Sequence, residues 1–93
     1  MIIGLLTVSF YLPGCSSLKE KRHRLAGLRD RYGKTNTIAV CESDLADQWQ
    51  SSQFSFICIA REKKQVESSL AKIVNHCQTS LDAQLLDHGI EWL

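Results

Sequence analysis

Two apolar runs, Met1–Leu12 (MIIGLLTVSFYL) and Gln53–Ala60 (QFSFICIA), are each followed at once by a segment of helical periodicity. This succession constrains the fold more than any other feature. Both runs are rich in Ile, Leu, Val and aromatic residues, and both read as strands. Pro13-Gly14 ends the first. Ser17 then stands three residues before Glu20, the spacing of a capping box. A helix is therefore predicted up to about Tyr32, with Gly33 as its C-terminal stop. Leu18, Leu25, Leu28 and Tyr32 fall on one stripe of it. After the second run, Val66, Leu70, Ile73, Val74 and Cys77 mark a helix over Arg61–Cys77. Thr35–Glu42 reads as a further strand and Ser43–Gln50 as a polar connection. Leu81–Trp92 closes the chain as a fourth strand, bent at Gly89.

The order is thus β-α-β-β-α-β, the split β-α-β or ferredoxin-like arrangement of the α+β class. Two helices would cover one face of a four-stranded antiparallel sheet, with the two apolar strands central. A chain of 93 residues makes one such domain, residues 1–93. Both central strands are apolar on both faces (Ile2, Ile3, Leu5 and Leu6; Phe56, Ile57, Cys58 and Ile59). The face without helices is therefore expected to be an exposed apolar patch, and the chain a homo-oligomer, a dimer, through it. Phe10, Tyr11, Phe54 and Phe56 are read mainly as core, because the glycine-and-aromatic consensus of RNA-recognition sheets is absent.

The net charge is only +1, but it is unevenly spread. Residues 1–34 hold seven Lys and Arg against Glu20 and Asp30, a net +5; the rest hold four against eight acids, a net −4. Such a basic window attracts anionic surfaces although the average charge says nothing. Lys19, Lys21, Arg22, Arg24, Arg29 and Arg31 are the candidate phosphate contacts, with Lys34 beside them. At about 100° per residue these side chains spread around the helix. Lys21 falls on the apolar stripe itself, so its stem must snorkel past the sheet edge. Lys19 and Lys21 also stand in the first turn, where the helix dipole disfavours cations, which hints at another use for them. The alternative is a solvated face that pairs with acids elsewhere.

The other reactive residues assemble nothing. Cys15, Cys41, Cys58 and Cys77 have no close-pair spacing, so they read as free thiols, those in apolar runs buried and Cys15 partly exposed. Glu42, Asp44 and Asp47 lack the twelve-residue calcium loop. They are read as a polar turn in which Asp44 caps a short helix carrying Trp49, and no metal or cofactor is predicted. Trp49 and Gln50 are either an anchor for a protein partner or, for Trp49, a half-buried core position. His23, His76 and His88 have no ligand spacing. No catalytic constellation is visible. Leu12-Pro13-Gly14-Cys15 superficially looks like a lipoprotein cleavage site, but no Lys or Arg precedes Lys19. The segment is read as a strand and the protein as cytoplasmic, without membrane contact.

The opening strand with Leu12-Pro13-Gly14 and then Ser17-Leu18-Lys19-Glu20-Lys21-Arg22 resembles the signature of the YlxP-like family of short bacterial proteins. Glu42-Ser43-Asp44, Asp47-Gln48-Trp49-Gln50 and the terminal Glu91-Trp92-Leu93 are similar to that family as well. Gln48 before the Trp, Leu45, and a shorter turn after the first helix depart from its pattern. The resemblance implies a ferredoxin-like fold and no established activity. Because genes of the family often lie beside those of ribosome-maturation and translation-initiation factors, it also implies a role near RNA or the ribosome. Two expectations follow: a small non-enzymatic protein whose basic first helix binds RNA or a ribosomal particle, or a dimeric protein-interaction module using the open sheet face and Trp49.

Overall fold

The computed structural model describes residues 1–93. Its elements are β1 (Ile2–Tyr11), α1 (Leu18–Tyr32), β2 (Ile38–Asp44), β3 (Ser51–Ala60), α2 (Lys63–Thr79) and β4 (Gln84–Trp92). The strands form one antiparallel sheet in the order β2-β3-β1-β4. This is the predicted ferredoxin-like α+β topology, with β1 and β3 central. β1 and β3 pair over ten residues each, from Ile2 opposite Ala60 to Tyr11 opposite Ser51.

Strand alternation sorts the side chains. Leu6, Val8 and Phe10 of β1 and Phe54, Phe56 and Cys58 of β3 are buried under the helices, where they meet Leu25, Leu28, Val66, Leu70 and Ile73. Phe10 stacks edge-on against Phe54, and Tyr32 against Phe56, at centroid distances of 6.4 and 5.6 Å. Gly4 lies on this face because α2 comes close: a Cβ there would stand 2.7 Å from Val66 Cγ1.

The opposite face is only half of what the sequence predicts. Ile3, Leu5, Ile57 and Ile59 make it apolar towards one end, with Ile59 exposed. Towards the other end the strands carry Thr7, Ser9, Gln53 and Ser55, and Ser43 of β2 receives hydrogen bonds from Gln53 and Ser55. The apolar patch is therefore confined to one half of the sheet.

Element ends differ where hydrogen bonds override local pattern. Thr35 bonds back to Tyr32, and Ile38 to Thr35, so β2 starts at Ile38. Gly33 caps α1 in an ordinary right-handed conformation rather than a left-handed one, donating its N–H to the Arg29 carbonyl. α2 begins two residues later than predicted, behind a capping box of Glu62 and Gln65, and runs on to Thr79. β4 is irregular opposite Ser9 and Phe10, at Leu86, and not at Gly89, where its register with Thr7 is continuous. No helix is long and apolar enough to cross a membrane.

Candidate nucleic-acid interface

The functional candidates converge on α1. Ser17 starts this helix, accepting the Glu20 N–H on its hydroxyl at 3.0 Å. At about 100° per residue, Leu18, Lys21, Leu25, Leu28 and Tyr32 share the stripe that faces the sheet. Lys19, Arg22 and Arg29 fall within an arc of about 80° on one flank of it; Arg24 and Arg31 fall on the other. The cations are thus sorted into three groups, and the structure gives each a different environment.

Lys21 is buried, with 2% of its surface exposed. Its ammonium lies 2.9 Å from Glu42 Oε2 and donates to the carbonyls of Leu45 at 2.8 Å and Gln48 at 2.7 Å. Glu42 Oε2 also accepts the hydroxyl of buried Ser52. Three donor hydrogens meet three acceptors, so the ion pair is satisfied inside the protein. The predicted phosphate contact at Lys21 is therefore corrected: its charge does not reach solvent, and the stem does not snorkel outwards. It fastens the start of α1 to the β2–β3 hairpin. The use hinted at by a cation in an unfavourable first-turn position is, for Lys21, structural.

Arg24 is likewise engaged. Its guanidinium donates to the Asp82 and Pro13 carbonyls at 2.8 and 2.9 Å, and pairs with Glu20 and Asp82 carboxylates. This ties α1 to the loop before β4. Partial desolvation pushes the Glu20 carboxyl up, but hydrogen bonds from Cys15, Arg24 and Ser16 outweigh it and hold the group below its ordinary value. Arg31 is exposed, yet it lies over the Tyr32 ring and 3.2 Å from His76 Nδ1 on α2. Burial, with the Arg31 guanidinium beside it, lowers the His76 pKa; the ring's Nε2 is buried without a partner.

Lys19, Arg22 and Arg29 remain. All three are exposed and none has a carboxylate within ion-pair distance. Arg22 and Arg29 stand two turns apart, about 10.5 Å along the axis, and edge a groove between α1 and β2. Its lining includes Leu25, Ala26 and Phe54, with the Arg29 guanidinium 5.9 Å from the Phe54 ring centre. Phe54 as a partner of Arg29 is not visible in the sequence, because the contact depends on how α1 crosses β3. The shared flank of Lys19, Arg22 and Arg29 was available from helical angles alone.

Trp49 is 53% exposed on the β2–β3 hairpin and belongs to no core cluster, which corrects the half-buried reading. No short helix carries it: Asp44 accepts the Leu45 N–H in a turn where Leu45 adopts a φ of 62°. Gln50 is exposed but ties the hairpin to the segment after β1, its carbonyl accepting from Leu12 and its amide donating to the Cys15 carbonyl. Of the acids in this region, Glu42 serves Lys21 and Ser52. All four cysteines are free. Cys41 is exposed on edge strand β2 and Cys15 is buried, the reverse of the expectation for both. Burial pushes the Cys77 thiol up to about 12.

A sequence model of the family described as "Protein of unknown function (DUF503)" matches residues 3–90. A comparison with curated proteins found no match.

Proposed function

The chain belongs to the DUF503 family, and for it we propose a non-enzymatic role in binding RNA, or a ribosomal particle through its RNA, with the Lys19, Arg22 and Arg29 flank of α1 as the contact. One observation carries this reading. These three cations are exposed and free of protein carboxylates, while Lys21 and Arg24 are held by carboxylates and carbonyls of the fold and Arg31 lies over Tyr32 beside His76. A solvated face that balances its charge within the protein would have shown the opposite. Such contacts position a phosphate chain and do not read sequence. The resemblance to YlxP-like proteins is consistent with the family and with this direction.

The test is binding of the purified protein to ribosomal RNA across a salt series. Three phosphate contacts give a slope of log K against log salt of about −2 to −3, or a fall of about 20- to 40-fold from 50 to 200 mM. Absence of binding at low salt, or a flat salt profile, contradicts the reading.

A second reading is favoured by the sheet. Ile3, Leu5, Ile57 and Ile59 form an apolar half-face with no layer over it, and Trp49 projects from the hairpin. We propose self-association through this half-face, with Trp49 available to a protein partner. Light scattering that gives a monomer mass at high concentration removes the self-association.

A further inference from the structure

The groove between α1 and β2 has features that a bare phosphate-binding edge does not need. Its floor is apolar, built from Leu25, Ala26 and Phe54. Arg22 and Arg29 edge it, and Asp30 and the Glu42 end of the buried ion pair complete the lining. The groove is open to solvent on one side and its volume is about 170 Å³. A cavity of about 150 Å³ holds a benzene molecule, so the space matches one six-membered ring.

We infer that this groove seats a single pyrimidine base of a single-stranded RNA, with the flanking phosphates on Arg22 and Arg29. The inference rests on the RNA-binding reading above and specifies its site. Each feature has a use in that arrangement. The apolar floor takes the ring. The Arg29 guanidinium, which already covers Phe54, is the group a flat base meets, and guanidinium planes stack on unpaired bases. The Asp30 and Glu42 carboxylates are acceptors for base N–H groups, and a carboxylate accepts from the cytosine amino group. A duplex keeps its bases stacked inside and cannot place one here.

The experiment is fluorescence anisotropy with labelled eight-nucleotide oligo-C, oligo-A and an RNA duplex at low salt. Wild-type protein is compared with Ala26→Trp and Ala26→Leu, which fill the groove from a half-buried helix position without removing a charge; circular dichroism confirms their folding. The expected result is oligo-C bound at least fivefold more tightly than oligo-A or duplex. Filling the groove reduces that preference to within twofold while ribosomal RNA binding and its salt slope persist. Equal affinity for oligo-C and oligo-A, or a preference untouched by either variant, overturns the pyrimidine seat and leaves the wider RNA reading standing. Loss of oligo-C to competition by a poly-glutamate peptide at equal charge concentration overturns it in favour of an acidic protein ligand. No binding of any RNA overturns both.

Discussion

The Lys21 ammonium has three acceptors, Glu42 and the carbonyls of Leu45 and Gln48, and no solvent. Removing one partner of a buried pair leaves the other uncompensated, at a cost of about 3–5 kcal/mol. Lys21→Ala is therefore expected to lose about that much in urea denaturation, a large share of a small domain's stability. Lys21→Met combined with Glu42→Leu should recover most of the loss, since no charge is then left buried. A loss below about 1 kcal/mol in the single variant would mean that the pair is not what fastens the hairpin. The cysteines give a second check. In the native protein a thiol reagent should label Cys41 alone, because Cys15, Cys58 and Cys77 are buried; labelling of all four without denaturant contradicts the packing. At this scale the sequence showed that Lys21 lies on the apolar stripe. It could not show Glu42 as its partner, since that contact depends on where β2 lies beside α1.

At the scale of elements, α2 reaches β1 because Gly4 leaves room for Val66 and Leu70. Gly4→Ala is expected to cost about 1–3 kcal/mol by overpacking, read as a lower denaturation midpoint. An unchanged midpoint would show that α2 can shift freely. The contact between α1 and α2 adds a pH dependence. Burial and the Arg31 guanidinium hold His76 below its ordinary pKa of 6.5. The unfolded chain then takes up a proton that the folded chain resists, so the contribution is intact above pH 6.5 and is lost as pH falls through the folded value. The thermal midpoint should drop between pH 7 and about 5, by less in His76→Gln; equal drops in both proteins would exclude His76 as the cause. The type and order of every element were legible, because hydrophobic period and turn residues are local. The irregularity at Leu86 and the starts of β2 and β4 were not, because strand ends and bulges are set by the neighbouring strand and loop contacts.

Over the whole molecule, the charge asymmetry seen in the sequence becomes a geometry. On α1, Lys21 is turned inwards and Arg24 and Arg31 against the loop before β4 and α2, which leaves Lys19, Arg22 and Arg29 on the other flank of the helix. The sheet face opposite the helices is half apolar and half hydroxyl-rich, so only the end with Ile3, Leu5, Ile57 and Ile59 offers hydrophobic area to another copy. The candidate site was legible as a basic helix, but its division into structural and free charges depended on tertiary partners. The function proposed for α1 depends on that division, and one paired measurement decides it: thermal stability and ribosomal RNA affinity of Lys19→Glu/Arg22→Glu/Arg29→Glu beside Lys21→Ala. The triple variant is expected to keep its thermal midpoint within a few degrees and to lose RNA binding at least 100-fold (about three charge reversals at ~1 kcal/mol or more each), while Lys21→Ala loses stability. A triple variant that unfolds, or that stays folded and binds RNA as the wild type does, would contradict it.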